Sequence, residues 1–154
     1  MAVHTVEIDT SRSAEEVYAA LRRCDEFPSY APDVVSVELE PPLSHWTLAF
    51  RGGTARWTQH DRFLPQPGLG AEFEQTSGDF VAFSGSWGVV PRGKVSTVRY
   101  QVSFSTSVAH LAGAIEPMVG RVLGRSARHI VAAVAGPTRI RDGAEVLNDG
   151  FQPH

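Results

Sequence analysis

The chain is poor in cysteine: Cys24 is the single one in 154 residues. That excludes an intrachain disulfide framework and a cysteine-based zinc site. Positive charge is equally short. Fourteen Lys and Arg stand against seventeen Asp and Glu, a formal net charge of −3, which leaves no basic footprint for nucleic acid and no polybasic patch for a membrane surface. No apolar run approaches the roughly 18 residues that cross a bilayer. The opening "MAVHTVEIDT" has neither a basic start nor an apolar stretch after it, so it does not read as a signal peptide and a cytoplasmic protein is expected. Six histidines are scattered without ligand spacing, so no metal and no cofactor are expected. Internal repeats and low-complexity segments are missing too. What is present is 42% hydrophobic and 20% charged residues, near globular averages and enough for one domain with a sizeable core.

The order of patterns is informative. "VHTVEID" alternates Val6 and Ile8 against polar neighbours and predicts a first strand. "SAEEVYAALRR" opens with Ser13 and Glu16 in capping-box spacing, followed by Val17, Ala20 and Leu21 as an apolar stripe, which predicts a short helix. "CDEFPSYAPDV", with two prolines and the aromatics Phe27 and Tyr30, is a second short helix before Pro32 or a loop. A meander follows. "VVSVELE", "HWTLAF", "ARWTQHDRF", "AEFEQT", "FVAFSGSWGVV" and "STVRYQVSFS" are separated by short Pro- and Gly-bearing turns, so antiparallel pairing is expected. From about Val108 to Ala135, Leu111, Ile115, Met118, Val122, Ile130 and Val134 keep helical spacing, and Gly136-Pro137 stops the pattern. The remainder, 137–154, has weak periodicity and reads as a flexible tail after a domain spanning 1–136. The predicted class is α+β: one curved antiparallel sheet of about six or seven strands wrapped around a long C-terminal helix, with an elongated cavity between them.

The stretch "ARWTQHDRF" sharpens the expectation. As a strand it splits into a polar face, Arg56, Thr58, His60 and Arg62, and a second face of Trp57, Gln59, Asp61 and Phe63. The second face begins and ends with aromatics and should be internal, yet it carries an amide and a carboxylate. A buried, unpaired carboxylate costs several kcal/mol. A partner, a raised pKa or a wet cavity must therefore accompany Asp61.

These residues carry a resemblance. "EFPSYAPDV" after the first helix, "RWTQHDRF", "SGDFVAFSGSW" and "STVRYQVSF", in that order over about Val3 to Ala135, resemble the START-like, helix-grip fold of the birch-pollen-allergen superfamily, and within it the polyketide cyclase/dehydratase branch with its aromatase/cyclases. The resemblance implies a cavity for a poly-β-ketone chain tethered to an acyl carrier protein, cyclised and then dehydrated to an aromatic ring in antibiotic and other secondary metabolism. It maps pocket tryptophans onto Trp57 and Trp87, a third onto Tyr100, a cavity phenylalanine onto Phe80, and the entrance tryptophan after the first helix onto Phe27. The polar set departs from the family pattern. Gln59 and Asp61 stand where a serine and an arginine are usual, Val34 where a tyrosine proton donor is usual, and Glu74 where a second arginine is usual.

The candidate catalytic residues are therefore Asp61, which could take a proton from an acidic β-keto methylene or deliver one to a departing hydroxyl, and Gln59, which could donate to a substrate carbonyl. Trp57, Trp87, Phe83, Tyr100, Phe80, Phe27, Tyr30 and Met118 form the candidate substrate-binding set. Gly85, between Phe83 and Trp87, would leave room in the sleeve. Structural roles stand beside these: Asp61 could equally pair with an arginine on a neighbouring strand, and Gln59 could simply bridge the sheet. Alternation places Glu74 outward while the resemblance places it inward. His60 belongs to the polar face, and His129 on the long helix faces either water or cavity. Arg121, Arg125 and Arg128 share a helix face, either a solvated stripe or a docking patch for an acidic carrier protein. Two functions of different class remain: a cofactor-independent cyclase, acting as monomer or homodimer, and a non-catalytic carrier of lipids, quinones or natural products. A chaperone that only shapes a reactive chain is a third.

Overall fold

The computed structural model describes residues 2–50, 53–64, 68–106, 112–135 and 138–142. Strand β1 (Ala2–Thr10) leads into helix α1 (Ala14–Leu21) and a 3₁₀ helix (Cys24–Ser29). Strands β2 (Val34–Glu40), β3 (Leu43–Phe50), β4 (Gly53–Leu64), β5 (Leu69–Gly78), β6 (Phe80–Arg92) and β7 (Val95–Thr106) follow as a meander. Helix α2 (Ala112–Ala135) and strand β8 (Thr138–Asp142) end the described chain. All strands join one antiparallel sheet in the order β2-β3-β4-β5-β6-β7-β1-β8. The first strand thus pairs with the last strand of the meander, and the sheet curves about α2, the helix-grip architecture expected from the sequence.

Local chemistry accounts for the elements. At α1 the Ser13 hydroxyl accepts from the Glu16 amide at 3.3 Å and donates to the Glu16 carboxylate at 3.0 Å, while Glu15 and Glu16 in the first turn complement the helix dipole. Its other face buries Ala14, Val17, Tyr18 and Leu21. The segment that reads as helix or loop is a 3₁₀ turn, with Phe27 and Cys24 buried. Helix α2 runs on through Pro117 and buries Val119, Val122, Leu123, Ile130 and Val131. Gly120 is where it meets β1: a Cβ there would lie 2.1 Å from His4 Nε2, so a larger residue would displace the His4 imidazole.

Two features depart from the sequence pattern. Thr138–Asp142, within the segment of weak periodicity, pairs with β1; its strand character comes from a partner distant in sequence. Glu74 is exposed, so alternation, not the resemblance, gives its direction. The expected helix start at Val108–Leu111, the Gly136-Pro137 stop and the tail beyond Asp142 lie outside the described residues. No helix among the described residues is long and apolar enough to cross a membrane.

Candidate active site

Strand β4 delivers the site. Trp57 and Gln59 are each 4% exposed, Asp61 and Phe63 are half-buried, and Arg56, His60 and Arg62 face solvent. The two-residue alternation holds over the whole stretch. Beside it, β5 carries a bulge opposite Thr58 and Gln59. Gly78 lies opposite Trp57 with φ of 147°, and a Cβ there would sit 2.5 Å from the Trp57 Cα.

The amide and the acid are wired to tryptophans. Trp57 Nε1–H donates to Gln59 Oε1 at 2.8 Å, and Gln59 Nε2–H donates to Asp61 Oδ1 at 2.7 Å. On β3, Trp46 Nε1–H donates to Ser44 Oγ at 2.8 Å, and Ser44 O–H donates to Asp61 Oδ2 at 2.6 Å. An indole nitrogen can only donate. Each tryptophan therefore fixes the direction of its chain: the Gln59 carbonyl must face Trp57, its amino group must face Asp61, and the Ser44 proton must point to Asp61. Both chains end as donors on one carboxylate. The two tryptophans are directly paired across β3 and β4, with rings stacked 5.8 Å apart at 11°. No arginine bonds Asp61 among the described residues; its partners are neutral.

These contacts set opposing forces on the acid. Burial pushes the Asp61 carboxyl above its ordinary range, and the hydrogen bonds from Ser44 and Gln59, with the charge of neighbouring His60, pull it back without cancelling the rise. Cys24 nearby has its thiol pushed up to about 12 by burial first, then by the charges of Asp61 and Asp25, and donates to the Leu21 carbonyl at 3.6 Å. It is an inert thiol.

Asp61 lies where two hollows meet. Inward is a cavity of about 80 Å³ between sheet and α2, lined by Phe27, Trp46, Trp57, Phe63, Phe73, Phe83, Trp87 and Tyr100, with Gln59, Asp61, Cys24 and Ser126 as its polar groups. Outward is a cleft of about 700 Å³ lined by Arg22, Arg23, Leu39, Pro41, Pro42 and Leu43. Asp61 and Phe63 belong to both. At this doorway the Arg22 guanidinium lies 5.0 Å from the Phe63 ring centre and 5.7 Å from that of Tyr18. Arg23 is committed to Asp25 and Glu26 at 3.4 and 3.8 Å.

Of the sequence-predicted residues, Asp61, Gln59, Trp57, Trp87, Phe83, Tyr100 and Phe27 come together around the inner cavity. Phe80 is buried behind it, with its ring 5.4 Å from that of Trp57 and 4.8 Å from that of Phe83. Tyr30 bonds Glu26 at 3.3 Å on the 3₁₀ turn, and Met118 is half-buried on α2; neither is in the lining. Val34 does line the cavity and brings no proton donor. The space expected at Gly85 is not free: a Cβ there would lie 2.6 Å from the Phe73 ring and 2.3 Å from the Gln101 carbonyl. Gly85 admits an aromatic ring and a neighbouring strand, not a guest. On α2, Arg125 is held by Asp33 at 3.0 Å, and His129 is outside the lining. Its imidazole is pushed below its usual range by burial, then by Arg128 and Arg125.

Sequence reasoning missed Trp46, Ser44, Phe63, Phe73 and Ser126 as site residues. Ser44, Trp46 and Leu48 alternate on one face of β3, a usable signal, but only the pairing with β4 gives it meaning. Among the described residues no group of three His, Cys, Asp or Glu could hold a metal ion.

The comparisons agree with this architecture. A protein of Thermus thermophilus superposes with a TM-score of 0.75 at 18% identity, covering 97% of this chain and 100% of that one. The aromatase/cyclase Zhui from Streptomyces sp. R1128 gives 0.73 at 14% identity, over 86% and 92%. A START superfamily protein from Mycobacterium smegmatis gives 0.72 at 13%, over 86% and 95%. At such identities the likeness is one of fold. No curated protein sequence matches. The family model described as "Polyketide cyclase / dehydrase and lipid transport" matches residues 10–134, and the chain belongs to that family.

Proposed function

We propose that the protein is a cofactor-independent polyketide cyclase/dehydratase of the aromatase/cyclase kind, with Asp61 as its general acid–base. The observation that carries this reading is the position of Asp61: a half-buried carboxyl with a raised pKa, oriented by two donors, at the doorway between an aromatic cavity and an open cleft. A carboxyl brought nearer neutrality both accepts and returns protons. The methylene between two ketones is acidic enough for such a base. Asp61 removes that proton, and the enolate carbon attacks a second carbonyl. The alkoxide left by that attack takes the proton back from Asp61; if water is lost, Asp61 removes the second proton of the same carbon and delivers it to the departing hydroxyl as the C–O bond breaks. Gln59 has one amide N–H beyond the one given to Asp61, and that N–H can hold the enolate oxygen. The inner cavity is small, so the reacting end of the chain enters it while the rest lies in the outer cleft. Trp46, Trp57 and Trp87 press the closing ring flat. The family and the aromatase/cyclase neighbour support this class; the β-keto substrate is inferred from the site and the carrier protein from the family resemblance.

A second reading, a non-catalytic carrier of apolar ligands, is favoured by one fact: the two chains on Asp61 satisfy buried indole N–H groups, which a passive cavity also needs. A reconstituted polyketide synthase separates the two. Asp61→Asn should lower formation of the cyclised product by about a hundredfold, the usual scale of general acid–base assistance, and Trp87→Ala should divert chains to unordered products. Undiminished product from Asp61→Asn would remove the acid–base role. Product unaffected by omission of the protein would leave only binding.

A further inference from the structure

Two polar groups of the inner cavity have no protein partner among the described residues. Ser126 is 4% exposed on α2, and its Oγ bonds nothing. It lies in the lining beside Leu123, Ala127, Ile130 and Val131. A serine in mid-helix ordinarily turns its hydroxyl back to the carbonyl four residues earlier; this one does not. Tyr100 on β7 is the second. It is half-buried in the same lining, no hydrogen bond of its hydroxyl is found among the described residues, and burial pushes its phenol above the usual range. Tyr100 is in register with Trp87, and Trp87 with Ala71, which faces Phe63 on β4. It therefore stands three strand spacings from the strand of Asp61, about 14 Å along the sheet.

The enclosed, unpaired hydroxyl of Ser126 is costly, and alanine would fill the same space without that cost. The groups on β4 are all mutually bonded; these two are open. We propose that Ser126 and Tyr100 form a second hydrogen-bonding station for the guest, so that the cavity selects a ring oxygenated at both ends, one oxygen at Asp61 and Gln59 and the other at Ser126 and Tyr100. This rests on the reading of the cavity as the ligand site given above. In the polyketide setting the second oxygen is a ketone or phenol of the same chain, remote from the reacting carbons. The two hydroxyls fix how far the chain is drawn in and therefore which methylene reaches Asp61. They are positioning residues.

The test uses acetophenone and 4-hydroxyacetophenone as probes, which share a carbonyl and differ in one remote hydroxyl. All three tryptophans of the chain line this cavity, so quenching of their fluorescence reports binding there. The buffer is kept acid enough to hold the phenol neutral. The wild type should bind the hydroxylated probe about tenfold more tightly, about 1.4 kcal/mol. Ser126→Ala and Tyr100→Phe should each cut that preference to about threefold or less, by weakening the hydroxylated probe more than acetophenone. Ser126→Ala should melt no lower than the wild type, because it removes an unpaired group. A preference retained in full by both variants would overturn the proposal, as would a lower melting temperature for Ser126→Ala, which would reveal an internal partner. Binding of both probes with no preference in the wild type defeats the second station alone. Binding of neither defeats the cavity reading with it.

Discussion

The two polar regions of one cavity are built on opposite plans. On the β3–β4 side, Trp57, Gln59, Asp61, Ser44 and Trp46 form a closed set in which each buried polar atom has a partner. On the β7–α2 side, Ser126 is buried without a partner among the described residues, and the half-buried Tyr100 faces the same space. A closed set holds a titratable group in one geometry before any guest arrives. Open hydroxyls pin nothing in the empty protein and gain their partner only from what enters. The first arrangement suits chemistry and the second suits choice, and a single shell of aromatic rings serves both.

Variants on the two sides should differ accordingly. The largest effect is expected for Trp57→Phe, which keeps an aromatic ring but strands the Gln59 carbonyl and opens a void: a loss of about 2–4 kcal/mol in urea unfolding. Next, Ser44→Ala removes the acceptor for Trp46 and a donor to Asp61, and should cost about 1–3 kcal/mol. It should also raise the Asp61 titration further in carboxyl-carbon NMR, since a contact that lowers it is lost. The pH dependence of Asp61→Asn is subtler. The folded state holds the Asp61 proton more tightly than the unfolded chain does, so ionising Asp61 opposes folding. That opposition is absent below the unfolded value of about 4 and complete above the raised folded one. The stability of Asp61→Asn relative to wild type should therefore increase as pH rises from about 3 to 7; a flat difference would mean the acid titrates as if exposed. Smallest of all, Ser126→Ala should leave stability unchanged or raise it by up to about 1 kcal/mol, since it removes an unpaired group. Two buried serines lining or abutting one cavity, Ser44 and Ser126, would then give opposite answers, and equal losses at both would erase the distinction between the two sides.

Much of this was legible in the sequence. The capping box at Ser13, the alternation from Trp57 to Phe63, the unbroken alternation of β7 and the helical spacing into Ala135 are local patterns, and local patterns survive translation into structure. The family resemblance drew the aromatic sleeve from the same residues. What escaped notice is non-local. Trp46 becomes part of the site only because β3 and β4 register it directly opposite Trp57. Strand β8 exists only because β1 offers an edge. The identity of the partners of Asp61, a serine and an amide in place of an arginine, depends on which side chains converge across two strands. Ser126 reads in sequence as one more small residue on a helix; its missing partner is visible only once everything around it is placed.

The ring of Phe73 settled against Gly85 has a further consequence. The notch that glycine cuts into β6 is filled by a side chain rooted one strand away, so the space there depends on residue 73. Trimming residue 73 would lengthen the interior and leave the Asp61 side untouched, while removing the ring stacked 6.2 Å from that of Tyr100.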